Sequence, residues 1–333
     1  MYLCGMKFIL PLTVSAITAA ILLPVAIFPD TPLLLGGRLF SGGSFIQIGV
    51  VSIYAGLLTH KMENINSRAA WRRYSWLLFG VLFYFQLLLG ITADSLFLMT
   101  GKLHLPIPAV IVAGPLYRFS SWFMIILFLS TVLISGPAWC SQLCYFGAFD
   151  AISSRPKDGS PSRKVKSWLK QTKPKLRLVI LFAVVSVALL LRIINGSAGT
   201  AVLLAILFMI AGLAVMASLS FRSGAMVHCS VWCPVGTIVN YVKYISPFRF
   251  GTNSACTSCM KCLPSCSYMA MSRGADGKLQ IGNGCTYCGD CIPKCSHNGL
   301  EYRFPGLTPK SAESLWITIT VILHAVFLAI ARV

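Results

Sequence analysis

Two runs of cysteine lie between residues 256 and 295, and both have the same spacing. Cys256, Cys259, Cys262 and Cys266 read C-x2-C-x2-C-x3-C, and Cys285, Cys288, Cys291 and Cys295 repeat it. This is the ligand spacing of a two-cluster ferredoxin, in which thiolates hold cubane 4Fe–4S clusters. Three thiolates two residues apart in a loop reach three corners of one cube, and the fourth is sent to the other cube. The spacing therefore assigns Cys256, Cys259, Cys262 and Cys295 to one cluster, and Cys285, Cys288, Cys291 and Cys266 to the other. Zinc ribbons or disulfides are the competing chemistry, and four tandem ligands with a closing x3 step, given twice, argue against both. The proline usual after the fourth cysteine is replaced by Ser267 and Ser296. Pro264 and Pro293 sit inside the x3 steps instead.

The elements that must position these thiols are not those of a water-soluble enzyme. Apolar residues make up 56% of the 333 and charged residues 11%, with a mean hydropathy of +0.76. Seven apolar stretches are near bilayer-spanning length, at about 6–28, 45–60, 74–99, 116–136, 176–194, 199–220 and 314–332. The first lacks a small-residue cleavage site and reads as a helix, not a secretory signal. Residues 105–116 are also apolar, but Pro106, Pro108 and Pro115 favour a re-entrant or surface segment. The expected fold is an all-α integral membrane helix bundle of about seven transmembrane helices with a small inserted two-cluster ferredoxin-like domain. Its divisions are 1–250 (helices one to six), 251–310 (the inserted domain) and 311–333 (the last helix). About 60 residues bury little core, so the clusters should staple the insert.

Lys and Arg number 28 against 9 Asp and Glu, for a net charge of +19. The excess is concentrated in two loops. One holds Lys61, Arg68, Arg72 and Arg73. The other runs from Arg155 to Arg177 and holds Lys157, Arg163, Lys164, Lys166, Lys170, Lys173 and Lys175. By the positive-inside rule both face the cytoplasm. Seven spans then put the amino terminus and the cysteine segment on the cytoplasmic side and the carboxyl terminus outside, in a bacterial or archaeal inner membrane. The charge pattern suits anionic lipid and not nucleic acid. A reducing compartment also suits thiols destined for metal.

A second cysteine pattern follows two of the apolar helices. Trp139-Cys140-Ser141-Gln142-Leu143-Cys144-Tyr145-Phe146-Gly147 and His228-Cys229-Ser230-Val231-Trp232-Cys233-Pro234-Val235-Gly236 are both C-x3-C hooks closed by glycine. Each comes after a Ser-Gly pair, Ser135-Gly136 and Ser223-Gly224. This is a duplicated helix-plus-hook unit. Twelve of the 13 cysteines thus form three sets of four; Cys4 stands alone and reads as inert. Cys140, Cys144, Cys229 and Cys233 fit a third iron–sulfur centre across the repeat, a redox-active dithiol near a quinone site, or close packing where helices reach the surface.

From Ser135 to Cys295 the chain resembles the membrane polyferredoxins of the NapH, NosR and CcoG type, most closely the NapH-type quinol dehydrogenase membrane component. It departs from that pattern in Tyr145, where proline is expected, and in its additional spans. The resemblance implies electron transfer between the quinone pool, menaquinone or ubiquinone, and the other subunits of a membrane redox complex. CcoG-like members carry an alternative, a maturation factor for another metalloenzyme; a membrane wire with no quinone site of its own is a third reading.

A quinone site needs a polar group beside an apolar slot, and intramembrane polar residues are its candidates. Gln86, Asp94 and His324 are these, each competing with a plain helix–helix hydrogen bond. His228, abutting Cys229, either tunes a centre there or packs at the interface. Arg192 and His60 end helices and read as interfacial, as do Arg118 and His104. With five histidines and no C-x-x-C-H, haem has little support. No P-loop or dinucleotide fingerprint is present.

Overall fold

The computed structural model describes residues 2–98, 107–120, 122–155 and 163–330. The expectations on His104, Pro106 and Lys157, and on the side chains of Cys4, Arg163 and Lys164, fall outside the described residues. In chain order the helices are α1 (Tyr2–Ile27), α2 (Leu35–Leu39), α3 (Gly43–Glu63), α4 (Ile65–Thr92), α5 (Pro108–Arg118), α6 (Phe123–Ser135), α7 (Tyr145–Ser153), α8 (Arg163–Ile193), α9 (Ala198–Val215), the single turn α10 (Phe221–Ser223), α11 (Pro234–Val242) and α12 (Pro309–Ile330). Four short strands, β1 (Arg249–Thr252), β2 (Met271–Arg273), β3 (Leu279–Ile281) and β4 (Leu300–Arg303), lie between α11 and α12.

Among the described residues, seven helical stretches are long and apolar enough to cross a membrane. They match the seven expected apolar stretches in number, but several boundaries move. The second is a full helix, Gly43–Glu63. The third begins at Ile65 rather than 74, and the fifth at Arg163 rather than 176. Residues read as basic loops are therefore partly helical, because Lys and Arg are good helix formers that extend an apolar core outward. Residues 108–118 form an 11-residue helix with proline at its first turn. At 1.5 Å per residue it is about 16 Å long, roughly half the hydrocarbon thickness of a bilayer.

Contacts divide the chain into two compact units, Met1–His104 with Tyr302–Val333, and Leu105–Glu301. These run along different lines from the three consecutive stretches. In the first unit α3 packs on α1, α4 and α12. Gly56 makes the α1 approach close, since a Cβ there would stand 2.3 Å from Ser15 Oγ. The core is Val14, Leu22, Val51, Ala55, Ile317, Val321 and Ala325. Several polar side chains find partners inside the unit. Arg68 pairs with Glu313, and the Gln47 side chain accepts from Gly36 N–H at 2.8 Å while donating to the Ala329 carbonyl at 3.2 Å.

The second unit holds every ferredoxin-run and hook cysteine. β2 and β3 pair antiparallel, with Met271 opposite Ile281 and Arg273 opposite Leu279. β1 forms the other sheet with β4, whose first residues Leu300 and Glu301 belong to this unit. The Asn253 N–H donates to the Gly299 carbonyl at 3.1 Å beside that pairing. These ribbons are too short to fold alone. What they do is bracket the two cysteine runs.

Candidate metal centre

The two ferredoxin runs have the same local backbone. Residues two, four and 13 positions after the first cysteine of each run have positive φ: Ser258 and Tyr287 (55° and 56°), Met260 and Gly289 (63° and 76°), then Met269 and Asn298 (52° and 50°). A non-glycine residue there costs roughly 1–2 kcal/mol, so five such residues mark a loop held in shape by something else. In each run the third cysteine leads into a 3-10 turn, Leu263–Ser265 or Ile292–Lys294, with Pro264 or Pro293 in its first turn. Proline is tolerated there because that N–H has no partner to lose. This is why the prolines sit inside the x3 step. Cys266 and Cys295 leave the turns extended, and each sulfur accepts a backbone N–H from four residues on, Ala270 at 3.3 Å and Gly299 at 3.2 Å.

Cys256, Cys259, Cys262 and Cys295 line one cavity of about 290 Å³, counting space open to solvent, closed by Leu279, Leu300 and His297. Cys291 is surrounded electrostatically by Cys288, Cys285 and Cys266, and burial first and these neighbours second push its thiol well up. All twelve described cysteines are free of disulfides. Among the described residues no three His, Cys, Asp or Glu side chains converge on one metal ion. Thiols distributed around a cavity suit a polynuclear cube, whose irons are spread over its corners, better than one tetrahedral zinc.

The hooks are also conformational twins. Gly136 and Gly224, with φ of 57° and 62°, end the preceding helices. Trp139–Leu143 and His228–Trp232 each form one π-turn. The turns close through Cys144 N–H to the Trp139 carbonyl (3.0 Å) and Cys233 N–H to the His228 carbonyl (2.8 Å). Cys144 and Cys233 are then the N-caps of α7 and α11. Their sulfurs accept backbone N–H groups of those helices, from Phe146 and Gly147, and from Val235 and Gly236. A helix N-terminus favours a thiolate. Tyr145 and Pro234 occupy the same first helical position, so tyrosine in place of proline leaves the hook intact. Gly236 is required by space, since a Cβ would come 2.6 Å from the Cys229 carbonyl.

The four hook cysteines come together within mutual electrostatic reach. Burial pushes the Cys144 thiol up to about 11 and Cys233 up to about 12. Four clustered soft donors, two of them buried and two half-buried, become thiolates together only when metal supplies positive charge. Asp150, which sequence reasoning missed, is wholly buried beside them. It accepts from Cys229 N–H at 2.9 Å and from Ser220 Oγ at 2.6 Å, and burial pushes its carboxyl up to about 6.

The cysteine segment docks on the hooks of its own chain. Tyr268, two residues past Cys266, donates to the Cys140 carbonyl at 2.6 Å. Ser141 donates to the carbonyl of Thr286, next to Cys285, at 3.3 Å. Met226 N–H donates to the Ser267 carbonyl at 2.9 Å. Three lysines complete the joint. Lys173 donates to the Tyr268 carbonyl (2.7 Å), Lys170 to the Met271 carbonyl (3.2 Å), and Lys243 to the carbonyls of Asn283 (2.7 Å) and Cys285 (2.9 Å). Lys243 is 2% exposed and feels both Cys285 and Cys140. Burial pushes its ammonium down to about 8, the thiols opposing. Lys170 and Lys173, read from sequence as orientation charges, thus hold the segment.

The three polar groups proposed for a quinone site have other partners. Asp94 caps a 3-10 turn by accepting from Leu96 N–H at 2.8 Å. Gln86 donates to the Phe97 carbonyl at 3.0 Å. His324, 2% exposed, shares a 3.0 Å hydrogen bond with Tyr54 and meets Phe79 edge-on. All three lie in the first unit.

The 4Fe-4S binding domain family matches the chain twice, at residues 117–169 and 203–253. Each match contains one hook, so the comparison reproduces the internal duplication; together they cover under a third of the chain and stop short of Cys256. No curated protein and no solved structure matches the chain.

Proposed function

We propose that this chain is a membrane electron-transfer subunit that passes electrons between the quinone pool and a redox partner through three iron–sulfur centres. The observation that carries the reading is the order of the three thiol sets. The hook set joins the Cys266–Cys285 set through Tyr268, Ser141 and Lys243. That set is adjacent to the Cys256 set, since Cys291 also feels Cys262. The Cys256 set ends at Cys259, which is exposed. One end is buried among helices and the other opens to solvent, where a partner subunit can dock.

Bound 4Fe–4S clusters supply single-electron chemistry at a potential set by burial, charge and hydrogen bonds to sulfur. The chain's own residues set those conditions. Backbone N–H groups of Ala270, Gly299 and the α7 and α11 N-termini bond to sulfur and favour the more negative, reduced state. The Lys243 ammonium, between Cys140 and Cys285, favours reduction on both sides of the joint. Seven apolar helices supply the membrane phase. On α9 only Gly212 is buried, a surface suited to lipid rather than water. The cytoplasm is the compartment in which the segment's thiols stay reduced for assembly.

The test is to reduce the purified, cluster-loaded chain with dithionite, remove the reductant, and add a short-chain quinone. Reoxidation of the cluster absorbance within seconds is expected. Clusters that stay reduced would transfer the reading to a wire or a maturation factor without a quinone site.

A further inference from the structure

Each ferredoxin run carries a threonine directly after its first cysteine, Thr257 after Cys256 and Thr286 after Cys285. The backbone beyond both is shared, with Ser258 and Tyr287 at φ of 55° and 56°. In the first run the Thr257 hydroxyl donates to the sulfur of Cys259, two residues on. The equivalent acceptor for Thr286 is the sulfur of Cys288. Two other thiols of that set already accept backbone N–H groups, Cys266 from Ala270 at 3.3 Å and Cys285 from Tyr287.

The two threonines differ in their surroundings. Thr257 is exposed and lines the Cys256 cavity. Thr286 is 5% exposed. Its neighbour Tyr287 is buried and packs on Phe250, with ring centroids 6.3 Å apart. Ser141 of the first hook closes on the Thr286 carbonyl. The Thr286 Oγ1 atom, buried here, has no hydrogen-bond partner in the protein. A buried hydroxyl without an acceptor is costly, and valine would fill the same volume without that cost. The thiolates and sulfides of a bound cube are acceptors of the right kind beside it.

We propose that Thr286 sets the potential of the cluster in the Cys285 set by donating its hydroxyl to a sulfur of that set, Cys288 Sγ by the precedent of Thr257. The proposal rests on the two runs binding clusters, and adds a residue that distinguishes one cluster from the other. Reduction adds an electron whose charge spreads onto sulfur, so a donor to sulfur favours the reduced state. Thr286 acts where water is excluded and its effect is large. At the exposed Thr257 site water replaces a lost hydroxyl, and the effect is small.

The experiment is a redox titration of the full cluster-loaded chain in detergent, followed by EPR. A water-soluble gadolinium chelate broadens the signal of the exposed Cys259 cluster and so identifies it. Thr286→Val should make reduction of one of the other clusters about tenfold less favourable, the equivalent of about 59 mV for one electron. Iron content and unfolding temperature should stay near native. Thr286→Ser keeps the hydroxyl and should restore the native potential. Thr257→Val should shift the gadolinium-sensitive cluster by about threefold or less. In D2O, pulsed EPR of the reduced native chain should show a coupled deuteron that Thr286→Val removes.

Native potentials in a fully loaded Thr286→Val would overturn the proposal. So would a Thr286→Ser chain that behaves like the valine variant, because packing and not the hydroxyl would then matter. Thr286→Ala stands in if valine loses iron. Loss of iron in both would make the hydroxyl a requirement of folding and overturn its role in setting the potential. A native chain that binds no iron at the two runs would overturn the cluster reading itself.

Discussion

The two hooks have nearly the same backbone and different neighbours. Both place a cysteine at the N-cap of a nine-residue helix after one π-turn. Around the first, Cys140 and Ser141 bond to the segment that carries the ferredoxin runs. Around the second, His228 stands where the first has Trp139 and lines an apolar pocket. Asp150 is one-sided too: it lies on α7, after the first hook, and bonds to Cys229 in the second. The duplicated frame keeps its four thiols within mutual electrostatic reach, and its flanks differ. One flank bonds to the segment that carries the ferredoxin runs, and the other lines an apolar pocket.

The largest effect should come from breaking the shared interior. Cys233→Ser should remove about four irons per chain while the EPR signals of the ferredoxin runs remain. Loss of all iron would mean the hooks only hold the runs in place. Cys266→Ser should remove about four irons from the runs and unfold the β2–β3 ribbon, because so small a segment has little core of its own; limited proteolysis after Arg273 or Lys278 would report it.

Asp150→Ala tests the one-sided link. It removes a buried carboxylate that accepts two hydrogen bonds, each worth about 1.5–3 kcal/mol with a charged partner. Thermal unfolding should occur several degrees lower, with iron lost first from the hook centre. Unchanged unfolding would show that Asp150 does not brace the second hook.

Next in size is Lys243→Met, which keeps the stem and deletes the charge between Cys140 and Cys285. Removing a buried positive charge disfavours the reduced state. Potentials of the hook centre and the adjacent cluster should fall by on the order of 50 mV, and the exposed Cys259 cluster should move less. Equal shifts in all three would contradict the order of the path.

The smallest effect is expected from Tyr145→Pro, which makes the first hook match the second. Tyr145 already stands at the first helical position, where proline is accommodated. Stability should change by less than about 1 kcal/mol and iron content not at all. A large loss would show that the two hooks are not conformational equivalents.

Much of this frame is legible in the chain, and the limits are physical. Cysteine spacing marks the two ferredoxin runs and the two hooks because ligand chemistry acts locally, within each loop. Hydropathy gives seven apolar helices because length and apolarity decide them. Helix starts lie earlier than hydropathy places them, at Ile65 and Arg163, because charge suggests loop, whereas Arg68, Lys170 and Lys173 extend helices and find partners far along the chain. Asp150 and Lys243 carry no sequence signal. Each is a common residue whose role exists only after residues about 40 to 80 positions apart meet. His228 could be noticed beside Cys229, but its pocket requires Ile107 and Phe208, which no local pattern connects. Gln86, Asp94 and His324 stand out in sequence by being polar among apolar residues, and the fold adds one hydrogen bond for each, which sequence alone does not specify.

The most direct test of the account is the iron and sulfide content of the purified, anaerobically reconstituted chain, measured with integrated EPR of the reduced state. Three thiol sets predict about twelve irons per chain and three interacting paramagnets. Eight irons, unchanged when Cys140 and Cys233 are both replaced by serine, would contradict the central claim and leave the hooks as structural turns.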